Sequence, residues 1–139
     1  MNGSTTNTQG RELTRSLPAL IVVDDDAAVR HSLKFALEMD GFAVWLYADA
    51  RELLDEPNLP TYGCLLIDYY LPDLDGLQLL ATLRSRGVVL PAFLVTGHPS
   101  VALRRRVEQA GVRLVEKPLI GDGLADMIRD SLQQDRGGV

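Results

Sequence analysis

The amino-acid sequence predicts a doubly wound α/β domain, in which a five-stranded parallel sheet carries helices on both faces. Five short apolar runs of strand length recur along the chain, and their starts lie 21 to 28 residues apart. The segments between them place apolar residues at helical spacing and end in glycine or proline. Because the runs are near-continuous rather than alternating, each strand is expected to be buried on both faces, as in parallel sheets.

The predicted strands and helices alternate along the whole domain. The strands are residues 20–23, 43–47, 64–67, 92–95 and 113–115. The first predicted helix spans residues 27–39 and ends before Gly41, and the second begins at the capping pair Asp49 and Glu52 and ends before Pro57. The third contains the apolar stripe Leu77, Leu80 and Leu83 and ends before Gly87. The fourth begins at Pro99 or Ser100 and runs to Ala110, and the fifth contains the stripe Leu124, Met127, Ile128 and Leu132. Strand–helix alternation of this kind predicts parallel crossover units.

Length and composition indicate one domain. The chain has 139 residues, of which 46% are hydrophobic and 24% charged, which is enough apolar material for one core. We expect a flexible amino-terminal extension over residues 1–18, the folded domain over residues 19–134, and a short tail over residues 135–139. The five residues that follow 134 are compatible with a natural tail or with the start of a longer protein.

Charge and cysteine usage exclude several function classes. The net charge of −5 at pH 7 argues against direct binding of nucleic acid, which requires a broad basic surface. The single cysteine, Cys64, lies within an apolar run and is interpreted as a small buried hydrophobe. No secretory signal is recognisable, and no run approaches the roughly 18 apolar residues of a membrane span. The sequence therefore predicts a soluble cytoplasmic protein that does not bind membranes.

Polar residues that could bind a ligand or take part in catalysis follow four of the predicted strands. Ligands of doubly wound sheets bind at the carboxyl ends of the strands, near the point where the strand order reverses. The residues at these ends are Asp24, Asp25 and Asp26 after the first strand, Asp68 after the third, Thr96 after the fourth, and Lys117 after the fifth. We expect these side chains to converge on one edge of the sheet.

Their chemistry predicts a site for phosphoryl transfer. Clustered carboxylates repel each other and favour a hard divalent cation, and Mg²⁺ suits a site with two or three aspartates because it retains waters and leaves positions for phosphate oxygens. Lys117 supplies positive charge for an anion and Thr96 a hydroxyl donor. Asp68 stands alone on the central strand and can itself be the nucleophile, since carboxylates form aspartyl-phosphates. The protein is then a phosphoryl acceptor.

Four segments resemble the landmark motifs of a known family. "IVVDDD", "LLIDYYLPDLDG", "LVTG" and "VEKP" are similar to those of the receiver domain of two-component response regulators. They occur in the same order, with 44 residues from Asp24 to Asp68, 28 from Asp68 to Thr96, and 21 from Thr96 to Lys117. The resemblance covers residues 19–134 and implies a flavodoxin-like (βα)5 receiver fold.

The resemblance also implies a role for each site residue. Asp68 would be the phosphoacceptor, Asp25 would bind Mg²⁺ directly and Asp24 largely through water, the backbone carbonyl of Tyr70 would complete the ligands, and Thr96 and Lys117 would approach the phosphoryl group. The peptide bond before Pro118 would be cis. Such a domain is not an enzyme in the usual sense, because it catalyses only its own phosphorylation and slow dephosphorylation.

The same resemblance implies partners. The phosphoryl donor would be a histidine kinase or a phosphotransfer protein, docking along the first helix at residues such as Val29, Arg30, Leu33 and Lys34. A homodimer or an effector protein would use the face formed by the fourth helix, fifth strand and fifth helix. The three arginines at 104–106 are interpreted as an exposed face of that fourth helix, with a partner contact as the alternative. A phosphorylation switch in two-component signalling is the predicted function.

Some polar residues have simpler interpretations, and two positions depart from the family pattern. Asp26 is expected to cap the first helix, Asp73 and Asp75 to be turn residues, and His98 to be a loop or capping residue.

Leu114 occupies the position, three before the lysine, where the family usually has an aromatic switch residue. Tyr70 lies two positions after the acceptor, and we hypothesise that it hinders water and prolongs the acyl-phosphate.

Three alternatives remain open. An aspartyl-nucleophile phosphatase would need a second aspartate two positions after Asp68, where this chain has Tyr70. A receiver-fold module used only for interaction or dimerisation, without phosphorylation, is kept open by Leu114. A flavodoxin-like cofactor binder would need a hydroxyl- and glycine-rich phosphate loop after the first strand, which this sequence lacks.

Overall fold

The computed structural model describes residues 17–119 and 123–137, so most of the predicted amino-terminal extension lies outside the described residues. The strands are β1 (Ala19–Val23), β2 (Ala43–Tyr47), β3 (Gly63–Asp68), β4 (Ala92–Thr96) and β5 (Arg113–Glu116). The helices are α1 (Ala27–Met39), α2 (Ala50–Leu54), α3 (Gly76–Ser85), α4 (Val101–Gln109) and α5 (Gly123–Gly137). The predicted alternation of strands and helices is confirmed. The proposed division of the chain at residues 18 and 134 stays a prediction, and α5 continues to Gly137.

The five strands form one parallel sheet in the order β2-β1-β3-β4-β5, as the fold class predicted. The chain moves outward from β1 to β2 on one side and returns to β3 on the other. The topological switch point therefore lies between β1 and β3, where a crevice opens at the carboxyl ends of the strands. Val23 pairs with Ile67 at that end, so the residues after β1 and at the end of β3 leave the sheet side by side.

Two apolar cores lie on opposite faces of the sheet. The helices α2, α3 and α4 cover one face, where the buried set includes Ile21, Leu53, Leu65, Leu79, Leu94 and Leu103. The helices α1 and α5 cover the other face, where the buried set includes Leu20, Leu33, Leu37, Leu66, Phe93 and Ile128. Cys64 is buried in the second core, as predicted. Burying β1 and β3 on both faces fixes the position of the switch point between them.

The helix starts follow the capping signals in the sequence. Asp26 accepts N–H bonds from Ala28 and Val29, which confirms it as the cap of α1. Asp49 caps α2 through the N–H of Glu52. Glu52 then reaches back to the N–H of Ala48 rather than to that of the cap residue itself, so the predicted capping box is modified at this end.

The predicted apolar stripes are correct for most positions. In α3, Leu79 is buried with Leu80 and Leu83, whereas Leu77 is only partly buried, so the inward face is rotated relative to the predicted stripe. In the described part of the chain, no helix is long and apolar enough to cross a bilayer.

Candidate functional site

Three carboxylates meet at the switch point. Asp24 and Asp25 follow β1, and Asp68 is the last residue of β3. One carboxylate oxygen from each lies within 4.8 Å of the others, and we call these three residues the strand-end cluster. Asp24 and Asp68 are 3% and 6% exposed, whereas Asp25 faces solvent. Parallel strands in register thus bring together the residues that sequence reasoning selected.

Lys117 joins this cluster from the end of β5. Its Nζ lies 3.1 Å from Oδ2 of Asp24 and 3.2 Å from Oδ2 of Asp68. Its backbone N–H donates to the carbonyl of Thr96 at 2.9 Å, and the bond between Lys117 and Pro118 is cis, as the family resemblance implied. A single ammonium group therefore bridges carboxylates from two strands.

The charges in the site are only partly balanced. Burial raises the pKa of Asp68, Lys117 opposes this and Asp24 adds to it, and the net direction is upward. Burial acts to lower the pKa of Lys117, but its bonds with Asp24 and Asp68 outweigh this and raise it above the usual value. The lysine is therefore charged at neutral pH, while its single charge does not offset all the carboxylates around it.

Backbone N–H groups hold two carboxylates of the strand-end cluster in place, those of Asp24 and Asp68. Oδ1 of Asp24 accepts the N–H of Asp26 at 2.9 Å, and Oδ1 of Asp68 accepts the N–H of Tyr70 at 3.3 Å. Arg30 in the first turn of α1 donates from Nη1 to the carbonyl of Asp24 at 2.7 Å. Within residues 17–119 and 123–137, no hydrogen bond or ion pair engages the Asp25 carboxylate. Its oxygens are free for an external ligand.

The donor set fits a hard divalent cation. All three donors are carboxylates, without histidine or cysteine in this described cluster, and oxygen ligands are those that Mg²⁺ prefers. Asp25 is the exposed member and Asp24 the buried one, and the direct and supporting roles that the resemblance implied for them stay predictions. The geometry brings together the predicted ligands of Mg²⁺, and the coordination itself stays a prediction.

Thr96 and His98 lie beside the cluster. Thr96 ends β4, which pairs with β3 such that Val95 faces Asp68. It is 1% exposed, and its Oγ1 accepts the N–H of His98 at 3.3 Å. His98 is an exposed residue of the loop after β4, as its sequence context predicted. The hydroxyl of Thr96 is thus held at the end of the neighbouring strand, one residue beyond the partner of the acceptor.

Tyr70 and Leu114 are the two departures from the family pattern. The Tyr70 side chain is 59% exposed, and its ring meets that of Tyr69 edge to face at 4.8 Å. Its location directly after the acceptor strand is compatible with the predicted use of its carbonyl as a ligand, which stays a prediction. Leu114 is partly buried against the core beneath α4 and carries no polar group. The polar link that an aromatic phenol could make there is missing at this position.

The loop after β3 contains a residue whose role the sequence did not reveal. Asp73 accepts N–H bonds from Ala50 at 3.2 Å, Arg51 at 3.0 Å and Leu74 at 3.0 Å. Leu74 follows it directly, which agrees with the predicted turn, but the bonds to Ala50 and Arg51 cap α2 from more than 20 residues away. No local signal in the sequence indicates such a contact. Its effect is to tie the acceptor loop to α2.

The same loop ends in a tight contact behind the acceptor. Asp75 caps α3, and with Gln78 it forms a reciprocal capping box, so its role goes beyond the predicted turn. Gly76 comes next, and a Cβ added there would lie 3.0 Å from the carbonyl oxygen of Asp68 and 3.0 Å from Cα of Tyr69. Glycine is required here because of close approach to the end of β3. The loop thereby positions the acceptor.

The fold and this site together define a class: an α/β domain with an acidic, lysine-bridged site at the switch point of a five-stranded parallel sheet. A family model described as the response regulator receiver domain matches residues 20–129. The chain therefore belongs to the response regulator receiver domain family, a family of signalling domains. The phosphorylation switch role that was predicted from the motifs agrees with this membership.

Relatives support the same assignment. The chain is 38% identical over 116 residues to the transcriptional regulatory protein FixJ of Bradyrhizobium diazoefficiens, covering 83% of this chain and 57% of that protein. It is 32% identical over 118 residues to the C4-dicarboxylate transport transcriptional regulatory protein DctD of Pseudomonas aeruginosa, covering 84% of this chain and 26% of that protein. The chain thus spans little more than half the length of the first of these relatives and about a quarter of the second.

Solved structures share the fold. Full-length FixJ from B. japonicum superposes with a TM-score of 0.76 at 38% identity, over 84% of this chain and 58% of that chain. A CheY-like receiver domain protein from Methanospirillum hungatei superposes with a TM-score of 0.81 at 29% identity, over 89% of this chain and all of that one. The receiver fold predicted from the sequence is confirmed.

Proposed function

We propose that this receiver domain accepts a phosphoryl group on Asp68 from a histidine kinase or a phosphotransfer protein, in a reaction that requires Mg²⁺. The observation that carries the proposal is the bridge made by Lys117 between the carboxylates at the ends of β1 and β3, next to an Asp25 carboxylate that has no partner among the described residues. The arrangement combines a nucleophile, a fixed positive charge and open oxygen ligands in one crevice.

The side chains divide the chemistry between them. An oxygen of Asp68 attacks the phosphorus of the donor, an O–P bond forms, and the P–N bond to the donor imidazole breaks, leaving its electron pair on the nitrogen. Lys117 offers its ammonium to a phosphoryl oxygen, and Thr96 offers a hydroxyl from the neighbouring strand. Asp24 and Asp25, with the carbonyl of Tyr70, would hold Mg²⁺, which when bound neutralises charge on the phosphoryl oxygens.

The donor is proposed to approach along α1. Of the four predicted contact residues, Leu33 is buried, Val29 and Arg30 are partly exposed, and Val29 and Leu33 line an open groove beside Lys117. The outer face of α1 instead exposes Phe35 and Met39 at 71% and 73%, beside the exposed Lys34. Singly exposed apolar side chains are ordinary, but two of this size one turn apart suit an apolar protein partner. We place this encounter in the cytoplasm.

The output is proposed to pass through the face of α4, β5 and α5. The arginines at 104–106 are exposed, as predicted. FixJ and DctD are named as transcriptional regulatory proteins, and the matched part of each is shorter than the whole protein. We infer that the signal leaves this domain by contact with a second copy or an effector, and not by direct contact of the described residues with nucleic acid.

Phosphorylation with a small donor tests the proposal. The full chain is incubated with Mg²⁺ and acetyl phosphate, and intact mass spectrometry follows the gain of one phosphoryl group, which should be acid-stable and base-labile. Asp68→Ala should abolish the adduct, whereas Asp49→Asn, which changes only the cap of α2, should retain it. Absence of an adduct in the wild type, or an adduct that survives Asp68→Ala, would contradict the proposal.

The alternatives give different results in the same experiment. A phosphatase would release phosphate from esters over many turnovers, whereas a phosphoacceptor forms one adduct per chain. A module that acts without phosphorylation would show no mass gain. The donor type is tested separately, by replacing acetyl phosphate with a phosphorylated histidine kinase or phosphotransfer protein and adding excess EDTA to one arm to remove Mg²⁺.

A further inference from the structure

The residue after the acceptor links the site to α4 on the opposite side of the strand end. Tyr69 is 6% exposed and belongs to the buried cluster beneath α2, α3 and α4. Its hydroxyl accepts a hydrogen bond from Nη1 of Arg106 at 3.0 Å, across 37 residues of sequence. A buried phenol usually needs a polar partner, and here that partner is a guanidinium on another helix. The contact joins α4 to the residue that directly follows β3.

The backbone of Tyr69 is held by β4 and by the start of α3. Its N–H donates to the carbonyl of Val95 at 2.8 Å, and its own carbonyl accepts the N–H of Gly76 at 2.8 Å. The ring of Tyr70, whose N–H donates to a carboxylate oxygen of Asp68, packs edge to face on the Tyr69 ring. A change at the Asp68 carboxylate therefore reaches the Tyr69 ring through two contiguous contacts.

Two arginines attach α4 to neighbours of site residues. Arg106 binds Tyr69, which follows Asp68, and Arg104 binds Glu116, which precedes Lys117, at 3.3 Å. Both side chains of the pair between Arg104 and Glu116 are more than half exposed, so this pair contributes little to stability on its own. Arg105 makes no side-chain hydrogen bond or ion pair within the described residues. The half-buried bond to Tyr69 is therefore the stronger of the two attachments.

We propose that the bond between Tyr69 and Arg106 couples the state of Asp68 to the position of α4. Leu114 lies in the same core and has no hydroxyl, so among the described residues this bond provides the polar connection that position 114 lacks. The coupling rests on the proposed function, because the input is phosphorylation of Asp68. Phosphorylation places a bulkier and more highly charged group beside the Tyr70 N–H that contacts Asp68, which displaces both tyrosines and loosens the bond to Arg106. The helix α4 is then released from the strand end.

Hydrogen–deuterium exchange on the full chain tests this coupling. Peptides covering residues 101–109 are compared with and without Mg²⁺ and acetyl phosphate in the wild type, Tyr69→Phe, Arg106→Gln and the double variant. Loss of one hydrogen bond should raise the exchange of α4 in the unmodified protein about fivefold. Phosphorylation should raise α4 exchange in the wild type and add little in either single variant. The double variant should match the single variants, because both remove the same interaction.

Controls separate this proposal from the proposed function. Arg105→Gln alters the adjacent arginine and should leave both the basal exchange and the response as in the wild type. Intact mass measured on the same samples gives the loading of Asp68, which Tyr69→Phe should retain because the ring still fills the core. If the wild type is not loaded, the proposed function fails and the coupling with it. If all proteins are loaded and α4 responds equally in wild type and Tyr69→Phe, only the coupling is overturned.

Discussion

The strand-end cluster and the loop that follows it use aspartate in opposite ways. In the cluster, one oxygen from each of three carboxylates lies within 4.8 Å of the others, and two of the three, those of Asp24 and Asp68, share the ammonium of Lys117. In the loop, Asp73 and Asp75 accept backbone N–H groups at the starts of two different helices, α2 and α3. Aspartates whose carboxylates lie beside other charged side chains therefore form the candidate site, whereas aspartates whose carboxylates accept backbone N–H groups stabilise the fold.

The energetic consequences of the two arrangements differ in sign. Like charges about 4 Å apart repel by roughly 1 to 4 kcal/mol at the effective dielectric constants of water and protein surfaces. A carboxylate that caps a helix stabilises the protein by about 1 kcal/mol. Repulsion within the strand-end cluster thus lowers the stability of the fold and is retained for ligand binding, as is common at functional sites. The carboxylates of the loop instead stabilise the helices and strand end that position the cluster. Four experiments test this difference, in order of decreasing effect.

Removing one carboxylate from the cluster should abolish stabilisation by Mg²⁺. A ligand that binds only the folded state at 100 times its Kd adds about 2.7 kcal/mol to the free energy of unfolding. We expect Mg²⁺ to raise the Tm of the wild type and to leave that of Asp25→Asn nearly unchanged. Asp26→Asn is the matched control, because asparagine also caps helices and Asp26 lies outside the cluster. Equal stabilisation of Asp25→Asn and wild type would show that Asp25 is no ligand.

Gly76, where the loop meets the end of β3, should tolerate no side chain. In Gly76→Ala the new Cβ would meet Cδ2 of Leu94 at 2.8 Å and the backbone of Asp68 and Tyr69 at 3.0 Å. The leucine can shift but the strand end cannot, so we expect a loss of about 2 kcal/mol in the free energy of unfolding and slower phosphorylation. Urea denaturation measures the first effect and the rate of adduct formation the second.

Gly123→Ala is the control for that variant, since a Cβ at this position contacts nothing within 4 Å. It should unfold at the wild-type urea concentration or slightly above it. A Gly76→Ala protein with wild-type stability would mean that the loop is free to move away from the acceptor, and the loop would then not position the strand-end cluster.

Asp73 should stabilise the fold without contributing to phosphorylation. Burial is the largest single influence and raises the pKa of Asp73, but the N–H groups of Arg51, Ala50 and Leu74 together outweigh it, and the net direction is downward. Because the pKa of the folded state lies below that of the unfolded chain, the stabilisation is complete above pH ~4 and is lost as the pH falls through the folded value. Asp73→Ala should therefore cost about 1 kcal/mol at pH 7 and much less at pH 3.

Urea denaturation at both pH values checks this dependence, and Asp55→Ala provides the comparison. Asp55 forms a long, exposed pair with Arg51 at 4.0 Å, which is expected to contribute little at either pH. Phosphorylation of Asp73→Ala should reach the wild-type extent. A loss of stability that is equal at pH 7 and pH 3 would show that the carboxylate charge is not what stabilises α2.

Much of the site could be predicted because it follows from backbone topology. Asp24, Asp68 and Lys117 lie at strand ends, and parallel strands in register bring their ends together whatever the side chains are. Local capping was also readable, as for Asp26, because the cap and its partners are adjacent in sequence. These features depend on periodicity and short-range spacing, which a single sequence displays.

Contacts between side chains distant in sequence could not be predicted. The bonds of Asp73 to α2 and of Arg106 to Tyr69 depend on where loops and helices settle in three dimensions. The rotation of α3, which buries Leu79 in place of Leu77, depends on how the whole helix packs on the sheet. Packing, and not local propensity, decides these features.

The smallest expected effect concerns the lifetime of the acyl-phosphate. The Tyr70 ring is 59% exposed and packs on Tyr69, two positions after the acceptor, and the Tyr70 N–H contacts Asp68. Such a ring would limit the approach of water to a phosphorylated carboxylate without binding it. Tyr70→Ala should therefore lose the phosphoryl group about threefold faster, a change of less than 1 kcal/mol in the barrier.

Intact mass followed over time after removal of acetyl phosphate measures this rate. Tyr70→Phe keeps the ring and should match the wild type, which separates steric shielding from any effect of the hydroxyl. An equal or slower loss in Tyr70→Ala would reject shielding. Because the exposed ring belongs neither to the strand-end cluster nor to the capping loop, a threefold effect would identify a third element at this edge of the sheet, one that controls water and leaves charge and stability unchanged.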